Sequence, residues 1–179
     1  MRSILILFTF CIFFTSNAQE LWKVTESKVH FFSEAPLENI EAENVKSQGL
    51  LKTTTKDVAI VVPIIEFDFE KPLMEEHFNE NYMETSKFKT ATFKGTIQED
   101  INFKKEGKYE VTAKGVLKIH GVEQERTLKG ELEIKGNSIM VNCKFPVALA
   151  DHDIEIPKMV IENLAEVVKV TFNLKFEPK

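Results

Sequence analysis

The stretch Tyr109-Glu110-Val111-Thr112-Ala113-Lys114-Gly115-Val116-Leu117-Lys118-Ile119 decides the fold class of this chain. Tyr109, Val111, Ala113, Leu117 and Ile119 share one phase of a two-residue repeat with Gly115, while Glu110, Thr112, Lys114 and Lys118 fill the other. Side chains on a strand alternate between faces, so this pattern predicts a strand with one face in a core and one in water. The alternation recurs at Leu128, Gly130, Leu132 and Ile134, again at Ile139, Val141, Cys143, Phe145, Val147 and Leu149, and again at Val168, Val170, Phe172, Leu174 and Phe176. Lys135-Gly136-Asn137-Ser138 is a turn signal at hairpin spacing, and His120-Gly121-Val122-Glu123 carries the chain round between the first two runs.

Working outward, Leu21–Thr25 and Val29–Ser33 read as two short strands, followed by strands over Val45–Thr53 and Val58–Phe69. The last is nearly continuous in apolar residues, which predicts burial on both faces beneath a helix. Ala91, Phe93, Gly95 and Ile97 alternate once more, and Ile101 and Phe103 continue toward the next hairpin. About eight to ten closely spaced strands predict an all-β sandwich or an up-and-down barrel. One segment departs from this period: Lys71 to Tyr82 carries Pro72 near its start, with Leu73, Met74, His77, Phe78 and Tyr82 three and four apart. That spacing predicts a short amphipathic helix with an acidic outer face. A second helical turn is expected over Lys158–Ala165.

Residues 1–18 form a leader. Arg2 supplies a positive start, Ile4 to Phe14 are apolar apart from Thr9, and Ser16-Asn17-Ala18 places small residues at a signal-peptidase site. An apolar run of about eleven residues is too short to anchor in a bilayer, which takes roughly 20. Cys11 lacks the small residues that a lipoprotein site needs before it. Export to the periplasm or the exterior is expected, with cleavage after Ala18, a single domain over 19–179 and no stable membrane insertion afterwards. Loss of Arg2 takes the formal charge of the chain from −5 to −6. No basic block is present, so nucleic acid is not an expected partner. Cys143 is left alone and reads as a buried, inert thiol.

No phosphate loop, zinc motif or nucleophile elbow appears, so no enzyme activity and no cofactor is expected. His30, His77, His120 and His152 are scattered, and no metal site is assigned to them. Asp151-His152-Asp153 would raise the pKa of its histidine if the carboxylates approached it. An eight-stranded barrel is wide enough to be filled by its own side chains or to enclose one small apolar ligand. The inward phase supplies the candidate lining: Phe93, Val111, Leu117, Leu128, Leu132, Val141, Phe145 and Phe172. Such a lumen would solvate an isoprenoid or acyl chain. The alternative is a filled core in a structural or interaction module, with seven strand phenylalanines consuming the space.

Glu76 to Phe88, Ala91-Thr92-Phe93-Lys94-Gly95 and above all Gly115-Val116-Leu117-Lys118-Ile119-His120-Gly121-Val122 resemble the YceI-like family of secreted, lipocalin-like barrels. Ile154-Glu155-Ile156-Pro157 and Glu166 to Val170 resemble its closing region. The resemblance implies an antiparallel lipocalin-like β-barrel whose apolar lumen holds a polyprenyl-type lipid in the periplasm. Three features depart from the family pattern. Met74 and Glu75 stand where members often carry Arg-Asp, Lys89 stands where Pro is usual, and Glu34, Glu38, Glu41 and Glu43 crowd one early loop. A diphosphate head would call for Arg. Arg126 is the only arginine beyond the leader, and Glu75, Glu76, Glu80 and Glu84 surround the helix. A neutral-headed isoprenoid such as a quinone is therefore the expected partner.

Overall fold

The computed structural model describes residues 20–34, 39–156 and 165–179; the expected leader and, apart from Ala165, the expected turn over 158–165 lie outside them. In chain order the elements are β1 (Leu21–Ser33), β2 (Ile40–Asn44), β3 (Gln48–Lys52), β4 (Asp57–Pro63), β5 (Asp68–Phe69) and α1 (Pro72–His77). After α1 come β6 (Thr90–Ile97), β7 (Gly107–Ile119), β8 (Val122–Lys135), β9 (Ser138–Ala148) and β10 (Val167–Pro178). Neighbours run β10-β9-β8-β7-β6-β4-β3-β1, and β1 pairs back onto β10, which closes an eight-stranded antiparallel barrel. The sandwich alternative is excluded by that closure. β2 and β5 extend from the upper part of β1.

Four sequence expectations change. The two short N-terminal strands are one, β1, with a bulge at Thr25 between the pairs Val24↔Phe176 and Glu26↔Lys175. The extra residue reverses the phase, so inward positions pass from Trp22 to Val29, and the reversal looks like a break in sequence. The glutamate-rich loop is partly a strand. In β2, Ala42 and Asn44 are buried while Glu43 and Glu41 face Lys28 at 2.6 Å and His30 at 3.0 Å on β1. The strand expected from Val45 begins at Gln48 instead. The Asn44 side chain turns the corner by donating to the Pro63 carbonyl and accepting from the Lys46 amide and the Ser47 hydroxyl. The long apolar run from Val58 is not buried on both faces. Val61 and Ile65 are exposed, and a 3-10 turn at Ile64–Glu66 ends the ladder before β5.

α1 begins with Pro72 at its first position, where a missing N–H costs nothing, and passes into a π turn over Phe78–Tyr82 closed by Met83 N–H to the Phe78 carbonyl at 2.8 Å. Ile101 and Phe103 belong to the β6–β7 loop and still pack on the core. Within the wall, Gly95 and Gly115 are register partners whose strands approach closely. A Cβ on Gly115 would strike the Lys94 carbonyl and the Gly95 Cα.

The β7–β8 hairpin turns on two residues with positive φ, His120 at 50° and Gly121 at 80°. That is type I′ geometry, which matches the twist of the flanking strands. His120 then fastens the corner. Its Nδ1 donates to the His152 carbonyl at 3.1 Å, its Nε2 lies 3.1 Å from a Glu84 carboxylate oxygen, and the Phe88 ring packs 4.2 Å away. His152, on the 3-10 turn Leu149–His152, is fully buried and donates from Nδ1 to the Val122 carbonyl at 3.3 Å. Burial holds this imidazole below its ordinary value of 6.5, aided by Arg126, against the opposing pull of the Val122 carbonyl and Asp151. The acidic neighbours in sequence therefore do not prevail, because loss of hydration outweighs them.

A Cβ at Gly121 would stand 2.6 Å from the Phe88 ring, in a left-handed backbone that costs an L residue about 1–2 kcal/mol. Gly121→Ala should lower stability by at least that amount, read as a lower urea midpoint at unchanged m-value. For His152 the unfolded chain takes up a proton near 6.5 and the folded chain resists it. Its contribution is full above that pH and is lost as pH falls through 6.5 toward the lower folded pKa. The melting temperature should thus fall between about pH 7 and pH 5, and His152→Gln should flatten that slope. An unchanged slope in the variant would count against this assignment.

Candidate functional site

The inward phase of the barrel strands encloses a lumen with two chambers. The upper one has a volume of about 410 Å³ and lies beneath α1, the π turn and the segment that follows β9. The lower one, of about 80 Å³, lies between the middle of the barrel and the opposite end. Leu117, Phe145 and Phe172 line both and form a waist between them. The Phe145 and Phe172 rings stack there at 5.8 Å and 12°.

All eight lining residues expected from the sequence face the lumen, but unevenly. Phe93, Val111, Leu128, Leu132 and Val141 surround the small lower chamber, and only Leu117, Phe145 and Phe172 also reach the large one. The upper chamber draws most of its wall from residues that strand alternation did not single out. Phe31 on β1, Phe67 after the 3-10 turn, Phe69 on β5 and Phe78 in the π turn form a mutually packed cluster. Phe31 lies 5.4 Å from Phe67, 5.8 Å from Phe69 and 5.5 Å from Phe78. Edge-on and offset contacts of this kind are favourable beyond the area they bury. The signal available in sequence was the apolar stripe of the helical segment: Leu73, Met74, Phe78 and Tyr82 cover the chamber, with Met74 at the place of the family's arginine.

Among the described residues, polar groups on the upper wall are few. They are the Tyr82 phenol and the exposed His77 imidazole, and neither hydrogen-bonds to any of the described residues. Burial raises the Tyr82 pKa, so its hydroxyl is a neutral donor at physiological pH. In the lower chamber the Cys143 thiol points to the Lys129 carbonyl at 3.2 Å, and burial pushes its pKa up to about 11. A thiol so held is a poor nucleophile. His77, His120 and His152 do not converge on one cavity. Only His77 lines the lumen, while the other two lock the hairpin corner. Among the described residues no group of three or more His, Cys, Asp or Glu side chains is placed to hold a metal. Arg126 lines neither chamber; its guanidinium donates to the Pro146 carbonyl and lies 3.8 Å from Asp151. No helix among the described residues is long and apolar enough to cross a membrane.

This architecture has solved counterparts. A polyisoprenoid binding domain from Saccharophagus degradans, implicated in plant cell wall breakdown, is similar at a TM-score of 0.76 and 15% identity, over 88% of this chain and 98% of that one. BcnA of Burkholderia cenocepacia is similar at 0.70 and 15% identity, over 83% and 95%. A Campylobacter jejuni YceI protein is similar at 0.65 and 12% identity, over 82% and 89%. At such identities the likeness is one of fold. No curated protein matches the sequence significantly. The sequence profile of the YceI-like domain, however, matches residues 22–176, most of the chain. With the closed barrel and its His120-Gly121 hairpin in place, the chain belongs to the YceI-like domain family.

Proposed function

We propose that the protein is an exported lipid-binding or carrier protein that holds a neutral-headed isoprenoid in its barrel lumen. The carrying observation is the upper chamber: about 410 Å³, walled among the described residues by aliphatic and aromatic side chains, with Tyr82 and His77 as their polar groups. That volume lies within the usual range for small-molecule pockets, about 300–1,000 Å³. A hydrocarbon tail gains roughly 0.8 kcal/mol for each CH₂ it buries there. The name of the Saccharophagus domain supports an isoprenoid over other apolar ligands. Export rests on the leader pattern of residues 1–18.

The head group follows from what surrounds the lumen. Phosphate recognition wants a guanidinium or a cluster of ammonium groups, and Arg126 is engaged elsewhere. The Tyr82 hydroxyl can donate to a carbonyl or hydroxyl head, and His77 can donate or accept. Glu75, Glu76 and Glu80, on and next to α1, would repel an anion. Binding rather than catalysis fits these groups, since no activated nucleophile among the described residues faces the upper chamber. The alternative of a barrel filled throughout draws support only from the lower half, where little space remains.

Solvent extraction of the purified protein followed by mass spectrometry should yield a neutral isoprenoid. Recovery of an anionic prenyl phosphate would overturn the head-group assignment. In competition, farnesol should outbind farnesyl diphosphate by about tenfold or more, equivalent to at least about 1.4 kcal/mol. Leu117→Asp buries an unpaired carboxylate at the waist and should reduce ligand retention by about a hundredfold or more. A variant with the native circular dichroism spectrum and undiminished retention would show that the lipid lies elsewhere.

A further inference from the structure

The two chambers are not equivalent parts of one tunnel. At roughly 30 Å³ of liquid volume for each water-sized group, the upper chamber takes on the order of fourteen heavy atoms and the lower fewer than about three. The first is about the size of a farnesyl chain. The second is smaller than one isoprene unit. Resting on the carrier reading above, we propose that Leu117, Phe145 and Phe172 form a tail stop that limits this protein to short-tailed isoprenoids, of about farnesyl length.

Three features hold the stop in place. Phe145 and Phe172 lie on adjacent strands tied by the ladder pairs Phe145↔Val170 and Cys143↔Phe172, which hold the two Cα positions in a fixed diagonal register and bring the rings into their stack. Leu117 is buried on β7, in register with Phe93 on β6. Below the waist the lumen is closed by side chains with almost no exposure, among them Leu132, Ile139 and Phe176. The Phe93 ring lies over Gly95, where a Cβ would come within 2.8 Å of it, so this part of the wall has no room to recede. A longer tail has to stay outside in water or fold back within the upper chamber, and neither adds buried apolar surface at the rate of the first units.

The test is a tail-length series. Delipidated full-length mature protein is titrated with benzoquinones bearing geranyl, farnesyl, geranylgeranyl and solanesyl tails. Affinity should rise by about tenfold or more from geranyl to farnesyl and by less than about threefold beyond. Phe172→Ala, which joins the chambers, should bind the geranylgeranyl quinone about tenfold tighter relative to the farnesyl one than the wild type does. Phe172→Leu should shift the profile in the same direction and keeps more of the packing should the alanine variant not fold. A wild-type affinity that keeps climbing tenfold or more through solanesyl would overturn the stop and leave the carrier reading standing. An unshifted profile in a folded Phe172 variant would also overturn it. Failure of the wild type to bind a quinone of any tail would remove the carrier reading itself, and the tail stop with it.

Discussion

The pairing of β1 with β10 is the constraint on which everything else depends. It joins the two ends of the domain over a register from Trp22↔Pro178 to Phe32↔Lys169. Without it the meander from β3 to β10 would be an open sheet with two long edges, a template for association with other chains. With it, every inward side chain is enclosed and a lumen exists. The bulge at Thr25 belongs to this closure. It lets β1 present Trp22 to one half of the interior and Val29 to the other while the strand changes partner from β3 to β2.

Closure also divides the interior unequally. Toward the end where β1 begins and β10 ends, the strands approach closely at Gly95 and Gly115, and phenylalanine and leucine side chains fill most of the space. Toward the other end the wall is completed by elements that are not barrel strands: β5, α1 and the π turn. Their aromatic rings, Phe69, Phe78 and Tyr82, line the larger chamber. The hairpin corner secures this open half. His120 and His152 tie β7 and β8 to the Glu84–Phe88 segment and to the turn after β9, so both histidines serve architecture.

Much of this was legible in advance, for a definite reason. Strand alternation records which way each side chain points relative to a sheet, and β7 to β10 keep a single phase over long runs. Phe93, Val111, Leu117, Leu128, Leu132, Val141, Phe145 and Phe172 share that inner phase, and all eight line the lumen. The upper chamber was less legible. Phe31, Phe67, Phe69 and Phe78 come from four separate elements with no shared period, and only the folded chain brings their rings within 6 Å. β2 was hidden for another reason: Glu41 and Glu43 suggested a solvated loop, whereas outward carboxylates facing Lys28 and His30 are what an outer sheet face accommodates.

Motifs such as Gly115–Val122 carried the resemblance to the YceI-like family; the alternating runs of this sequence, by themselves, determined an antiparallel all-β domain, with an apolar inner face and a helix opening at Pro72. Those are properties of local period and turn chemistry, which a single strand or hairpin already carries. The tertiary structure alone decided that the ring closes through β1 and β10, and that burial rather than Asp151 governs His152. It also decided that Leu117, Phe145 and Phe172 stand where the two chambers meet. Each of these depends on distances between residues far apart in the chain, and on how much space their side chains leave, which no local pattern records.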